Sequence, residues 1–319
     1  MHIKDESVHP TGSLKHRLVR AMYAHAVSRG HSTAGTPVVT TGGGAVAAAG
    51  AYFAALLGLL SFVAVVPEKT EPCLLERIER WGGTWRLGEH PPAAVQDEAR
   101  DLASRLGGHV LDHYANADAA VTLGGVRTIS DELAAQLSGL DGPPAWIVVG
   151  AGTGATSAAI GRCLRRRGAP TRLAVADPEN SAYFPAWASG CADYDTGLPS
   201  RIPGIGRPRV EPGFLLEVVD LVVPVPDVAG VAAMRWLADT AGIQAGPATG
   251  TNLWAVCHLV ARMRESGVRG SVVTLLGDGP DAYRDTYLDQ GWLAAQGLDP
   301  APYLPVLDRF MKSGEWPGQ

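Results

Sequence analysis

The sequence predicts an α/β protein with mostly parallel sheets. Three observations carry that prediction. Short apolar strands alternate with helical stretches along the chain, as a sheet with crossover helices requires. Two glycine-rich turns, near residues 42 and 150, lead from a strand into a helix and point to two domains or two halves. The chain has 319 residues, 46% of them hydrophobic and 18% charged, which is enough core material to exclude disorder.

The elements follow in order. Ser13 to Arg29 reads as a helix, with Leu14, Leu18, Ala21 and Met22 on one side and Gly30 as its stop. Pro37 to Thr40 reads as a strand, broken by Gly42 to Gly44. Ala47 to Leu59 is a small-residue helix, and Ser61 to Val66 a buried strand stopped by Pro67. Glu71 to Trp81 and Gln96 to Arg105 are amphipathic helices. His109 to Leu111 is a short strand, and Ile129 to Leu137 is helical. Trp146 to Val149 is an apolar strand that runs into Gly150-Ala151-Gly152-Thr153-Gly154. Ser157 to Arg167 is a helix with its arginines at the favourable end of the dipole. Arg172 to Val175 and Val218 to Val225 are strands. Val228 to Ala241 and Asn252 to Glu265 are helices, and Ser271 to Leu276 is the last strand. Tyr183 to Pro212 reads as an irregular loop, long enough to be functional. No internal repeat is visible.

Composition excludes several classes. There are 27 Lys+Arg against 32 Asp+Glu, a formal charge of −5, which gives no field for nucleic acid or anionic lipid. The segment from Thr36 to Pro67 has no charge and is long enough to span a membrane. Its internal glycines and Pro67 favour a buried strand, helix and strand, and basic and aromatic flanks are missing. Cys73, Cys163, Cys191 and Cys257 form no CxxC pair, so no zinc cluster or disulfide scaffold is expected. The polar start is no cleavable signal, and a reduced cytoplasmic protein is the simplest reading. No metal motif such as HExxH is present. Glu98 and Glu132 read as solvated helix positions.

The strongest chemical signal is Val149-Gly150-Ala151-Gly152-Thr153-Gly154-Ala155-Thr156. Backbone amides in such a turn cradle an oxyanion at a helix N-terminus, and Thr153 and Thr156 add hydroxyls. An empty turn is the plain alternative. A dinucleotide is another, since Asp177 follows the next strand where a ribose-binding acid would stand. The second signal is Pro10-Thr11-Gly12-Ser13-Leu14-Lys15-His16-Arg17. Lys15 sits at a helix start, where the dipole opposes its ammonium and favours the neutral amine of a Schiff-base lysine. A surface lysine is the alternative. Weaker signals are Thr40 to Ala45, Ala248 to Asn252 ahead of a helix, and Gly277 to Pro280. For each of these an empty turn competes with a ligand loop.

In combination the motifs resemble the cysteine synthase / cystathionine β-synthase family. They run from Lys4-Asp5-Glu6-Ser7 and His9 to Arg17 through Gly150 to Thr156, Asp177 to Ser181 and Gly204 to Pro212. Thr249 to Trp254 and Gly277 to Tyr283 complete them. The nearest branch in pattern is the actinobacterial group that uses O-phosphoserine and makes S-sulfocysteine. The resemblance implies a fold-type II enzyme of tryptophan synthase β-like architecture. Its two α/β/α domains are expected at 1–118, with the lysine and substrate loop, and at 119–319, with the phosphate loop. Pyridoxal 5'-phosphate (PLP) is the implied cofactor, bonded to Lys15. Gly150, Gly152, Thr153, Gly154, Ala155 and Thr156 would serve the phosphate, and Asp278 and Gly279 the pyridine nitrogen. Thr41, Gly42, Gly43, Gly44, Ala45, His113 and Arg207 would serve the substrate. The implied reaction is β-replacement on O-phosphoserine or O-acetylserine by a small nucleophile, in a homodimer. Arg201 and Arg209 join Arg207 as candidates for an anionic leaving group.

The chain departs from the family at several points. The loop that usually reads TSGNTG or SSGSTA is Gly42-Gly43-Gly44-Ala45-Val46-Ala47, without its side-chain donors, and Thr40 and Thr41 lie just upstream. Each lost charge-assisted hydrogen bond is worth about 1.5–3 kcal/mol if nothing compensates. His113 stands near the family glutamine. GDGPDAY replaces a PDSGERY-like stretch, and Pro247 and Ala248 replace Gly and Ser. The family segment ahead of the KxE motif is absent from this sequence. Two alternatives follow: a PLP enzyme or β-eliminating lyase with another substrate, and a non-catalytic homologue that binds a partner.

Overall fold

The computed structural model describes residues 1–89, 95–117, 128–139 and 142–317. The strands are β1 (His2–Asp5), β2 (Pro37–Thr41), β3 (Ser61–Val66), β4 (Thr84–Leu87), β5 (His109–Val110), β6 (Trp146–Gly150), β7 (Arg172–Pro178), β8 (Leu221–Val225) and β9 (Val272–Leu276). The helices are α1 (Lys15–Ser28), α2 (Ala45–Leu56), α3 (Pro72–Glu79), α4 (Val95–Leu106), α5 (Ile129–Leu137) and α6 (Ala155–Arg166). After them come α7 (Tyr183–Ser189), α8 (Asp227–Ala241), α9 (Pro247–Glu265), α10 (Gln290–Ala295) and α11 (Leu304–Ser313). The chain forms two compact units, Val8–Val126 and Met1–Ser7 with Arg127–Gln319. The expected domain boundary at 118/119 lies outside the described residues.

The smaller unit carries a parallel sheet in the order β4-β3-β2-β5. Thr36 to Pro67 builds its centre as strand, helix and strand. The β-branched run of β3 suits a buried parallel strand, whereas the alanines of α2 suit a helix packed close to its neighbours. Gly50 of α2 makes that approach possible. A Cβ there would lie 2.4 Å from the Phe62 ring. The Tyr23 hydroxyl donates to the Gly50 carbonyl at 3.0 Å and ties α1 to α2. Most of the uncharged run is thus interior, while Leu56, Leu57 and Leu60 at the turn between α2 and β3 are exposed. No helix among the described residues is long and apolar enough to cross a membrane.

The larger unit carries a parallel sheet in the order β1-β9-β6-β7-β8. Its first strand corrects the expected assignment of residues 1–7 to the N-terminal domain. β1 pairs with β9 from His2↔Val273 to Asp5↔Leu276. The Lys4 ammonium then lies 3.1 Å from Glu6 and 3.1 Å from Glu132 of α5. Glu6 is 0% exposed, so the ammonium offsets a buried charge. Glu132 is therefore a partner and not a merely solvated position. Glu98 is corrected likewise: it is buried and accepts from Arg86 at 2.7 Å and from the Glu89 amide at 3.0 Å.

Three further boundaries differ. Helix α9 starts at Pro247, five residues before the expected Asn252, because proline suits the first helical position. The Thr249–Asn252 motif is thus inside a helix. Gly250 lets α9 meet α8, since a Cβ there would stand 2.0 Å from the Gly230 carbonyl oxygen. The expected strand from Val218 is instead a 3-10 turn at Leu216–Val218, with β8 starting at Leu221. Tyr183 to Pro212 opens with helix α7, whose first-turn Phe184 amide donates to the buried Asp177 carboxylate at 2.8 Å.

Candidate active site

In the smaller unit, Lys15 is the first residue of α1 and half-buried. Its amide donates to the Ser13 hydroxyl at 3.0 Å, which satisfies one of the donors a helix start leaves open. Gly12 in the same turn has φ of +66°, a conformation that favours glycine. Arg77 of α3 donates from Nη2 to the Thr11 carbonyl at 2.8 Å. On the other side, the His16 ring stacks on His9 at 4.9 Å and packs on Phe53 of α2 at 4.6 Å. The Thr11 hydroxyl lies 3.2 Å from His16 Nδ1. Burial, and then the neighbouring His9 and arginine charges, lower the His16 pKa to about 4. The lysine is thus presented from a turn held on two sides.

The glycine loop and His113 leave the same edge of that sheet. Gly42 to Gly44 follow β2, and His113 follows β5, its neighbour. Thr41 pairs in register with Val65, and the Gly42 amide donates to the Val65 carbonyl at 2.8 Å. Gly42 has φ of +82°. Gly44 caps α2 and is exposed, with Ala45 as the first helical residue. His113 is buried and packs on Tyr114 at 4.1 Å. Thr40, one residue inside the strand, donates to the Leu111 carbonyl and so serves the sheet.

In the larger unit, β6 runs into the Gly150–Gly154 turn and then into α6. Gly154 has φ of +81°, and a Cβ there would stand 2.2 Å from the Gly213 carbonyl carbon. The turn closes on the segment at 213–214 only because residue 154 is glycine. The Gly206 amide donates to the Ala151 carbonyl at 2.8 Å, and the Tyr183 hydroxyl donates to the Gly152 carbonyl. Thr153 is 5% exposed, and its hydroxyl accepts from the Ala155 amide at 3.3 Å. Thr156 is half-buried, and the first turn of α6 carries no acidic residue. This donor set fits a phosphate: a helix N-terminus, two hydroxyls and a glycine cradle, with no opposing charge.

The turn after β9 leaves the same sheet edge. Asp278 is fixed there. Its Oδ2 accepts from the Tyr283 hydroxyl at 2.8 Å, and its carbonyl accepts from the Gly246 amide at 2.9 Å. Gly279 caps a 3-10 turn at Pro280–Tyr283. Residues 204–206 bridge the two turns, since a Cβ on Gly204 would lie 4.0 Å from Asp278 Oδ2. Arg207 follows directly. Its Nε donates to Glu211 at 2.9 Å, and Arg209 reaches the same carboxylate oxygen at 3.5 Å. Arg201 instead donates to the Gln296 carbonyl at 2.7 Å. Asp177 is taken by Phe184, and burial pushes its carboxyl up to about 7. The sequence does not single out Arg77, Thr70 or Tyr183, because each acts through a partner remote in sequence and none carries a motif of its own.

The family model described as pyridoxal-phosphate dependent enzyme matches residues 1–278. The chain is 47% identical to the L-cysteine desulfhydrase Cds1 of Mycobacterium tuberculosis, over 99% of this chain and 86% of that protein. It is 30% identical to an N-(2-amino-2-carboxyethyl)-L-glutamate synthase of Ralstonia nicotianae, over 97% and 91%. Among solved structures, O-ureido-L-serine synthase is similar with a TM-score of 0.75 and 26% identity, covering 91% of this chain and 90% of that one. A hydrogen sulfide-producing enzyme of Fusobacterium nucleatum shares the fold, with a TM-score of 0.77 at 22% identity, over 90% and 84%.

Proposed function

Because the chain belongs to the family of pyridoxal-phosphate dependent enzymes, we propose that it eliminates the β-substituent of a small amino acid, with L-cysteine as the substrate. One observation carries this reading: the chain-long 47% identity to a protein named L-cysteine desulfhydrase. The products are pyruvate, ammonia and sulfide, from one cysteine and one water. This places elimination ahead of the β-replacement that the motifs imply.

Bound PLP supplies an electron sink for the carbanion left at Cα. The protein's own groups do the rest. Lys15 would hold the cofactor, and its amine would serve as the base for the α-proton. The amides of Gly152, Thr153, Gly154 and Thr156, with the hydroxyls of Thr153 and Thr156, would hold the phosphate; Ala155, whose amide caps on Thr153, and Gly150 shape the turn that aims them. Asp278 and Gly279 are the positions assigned to the ring nitrogen. Backbone amides of Gly43 to Ala45 bind the substrate carboxylate, with Thr41 and His113 beside them, whereas the Gly42 amide is held by Val65. Arg207, the candidate anion receptor, is ion-paired with Glu211 through its Nε. The working state we assign is a cytoplasmic homodimer, on the strength of the family resemblance.

A second reading, β-replacement on O-phosphoserine or O-acetylserine, is favoured by the two synthase relatives. One experiment separates the readings. Holoenzyme given L-cysteine alone should release sulfide and pyruvate in equal amounts. Product formed only from a serine ester plus a nucleophile would select replacement. Failure of every such amino acid to alter the visible spectrum of the holoenzyme would reject both.

A further inference from the structure

The glycine loop Gly42 to Gly44 carries no side chains of its own, yet its central residue is not bare. Gly43 is buried, whereas Gly44 is exposed. Thr70, in the turn between β3 and α3, covers it. A Cβ on Gly43 would stand 2.3 Å from Thr70 Cγ2, far inside contact distance. Among the described residues, chain neighbours aside, no atom lies within 4 Å of the corresponding points on Gly42 and Gly44. Thr70 has little freedom to turn away. Its hydroxyl donates to the Pro67 carbonyl at 2.7 Å, and its amide donates to the same oxygen at 3.0 Å. This bond directs the methyl group, and not the hydroxyl, at the loop.

We propose that Thr70 is a specificity-determining residue of the amino-acid site, its methyl group filling the volume that a side chain at position 43 would take. The inference rests on the reading of Gly42 to Ala45 as the substrate loop. Residue 43 and residue 70 are mutually exclusive claimants for one space. Glycine at 43 is the condition for Thr70 to sit where it does. The loop then offers the substrate a methyl wall and backbone amides, with open room over Gly44.

The test uses holoenzyme and two chemical dissections of one side chain. Thr70→Ser keeps the hydroxyl and drops the methyl; Thr70→Val does the reverse. The KM for L-cysteine, and the dissociation constant for L-serine from the visible spectrum, are measured with kcat. Thr70→Ser should raise both constants about tenfold, the scale of one pocket methyl, with kcat changed much less. Thr70→Val should recover most of that loss. Gly43→Ser should weaken L-serine binding and lower the melting temperature, and adding Thr70→Gly should reverse both effects. Thr70→Ser with wild-type constants overturns the proposal. So does a Gly43→Ser penalty indifferent to residue 70. A wild-type holoenzyme whose spectrum ignores every amino acid would instead overturn the substrate-loop reading beneath it.

Discussion

The Arg77 guanidinium donates to the Thr11 carbonyl at 2.8 Å, so helix α3 holds the turn that starts the lysine helix. Residues 66 apart in sequence thereby share one task. A hydrogen bond from a charged donor is worth about 1.5–3 kcal/mol. Arg77→Ala is expected to lose stability on that scale and to slow covalent attachment of PLP to Lys15. Thermal melts and borohydride trapping with mass analysis measure the two effects. Unchanged trapping would remove Arg77 from the positioning of Lys15.

Lys15 is the residue on which the chemistry depends. Lys15→Ala should retain the fold, because the residue is half-buried at a helix start and alanine suits helices. The variant should show no borohydride-fixed cofactor and no sulfide release. A fixed adduct mapped to Lys4, Lys69 or Lys312 would show that another lysine carries the cofactor.

The phosphate turn depends on a glycine conformation. Gly154→Ala would combine φ of +81° with an overlap on the Gly213 backbone. Backbone atoms cannot swing aside as a side-chain tip can. The cost is expected at about 2 kcal/mol or more, with PLP affinity lowered at least tenfold. Equilibrium dialysis and melting curves report the two. A variant that binds PLP like wild type would exclude the turn from phosphate binding.

His16 makes the smaller unit sensitive to acid. Its folded pKa is lowered to about 4 by burial and by nearby positive charge. Between that value and the ordinary value of about 6.5, the unfolded chain binds a proton that the folded chain refuses. Stability should therefore fall as pH drops from 6.5 toward 4. His16→Phe keeps the ring contact with Phe53 and should make the decline shallower. Urea titrations at several pH values would show it. An identical slope in the variant would assign the acid sensitivity elsewhere.

Much of the fold and part of the site are legible in the chain itself. Alternating β-branched and alanine-rich segments settle the α/β class, because each pattern follows the local period of its element. Gly150 to Gly154 and the PTGS turn are readable for the same reason: positive φ and open helix amides are properties of a few consecutive residues. The substrate loop is only half legible. The loss of side chains at Gly42 to Gly44 shows in the letters, but Thr70 over Gly43 does not, since Thr70 reaches it across neighbouring strands.

By itself, then, the sequence determined the element types, the glycine turns and the candidate lysine. Tertiary structure alone decided that β1 joins β9, that Lys4 serves Glu6 and Glu132, that Arg77 holds the Lys15 turn, and that Glu211 takes Arg207. The physical reason is range. Backbone conformation and helix capping are set by neighbours within a few positions. Ion pairs and steric exclusion depend on sheet order, which brings together residues that no local pattern connects.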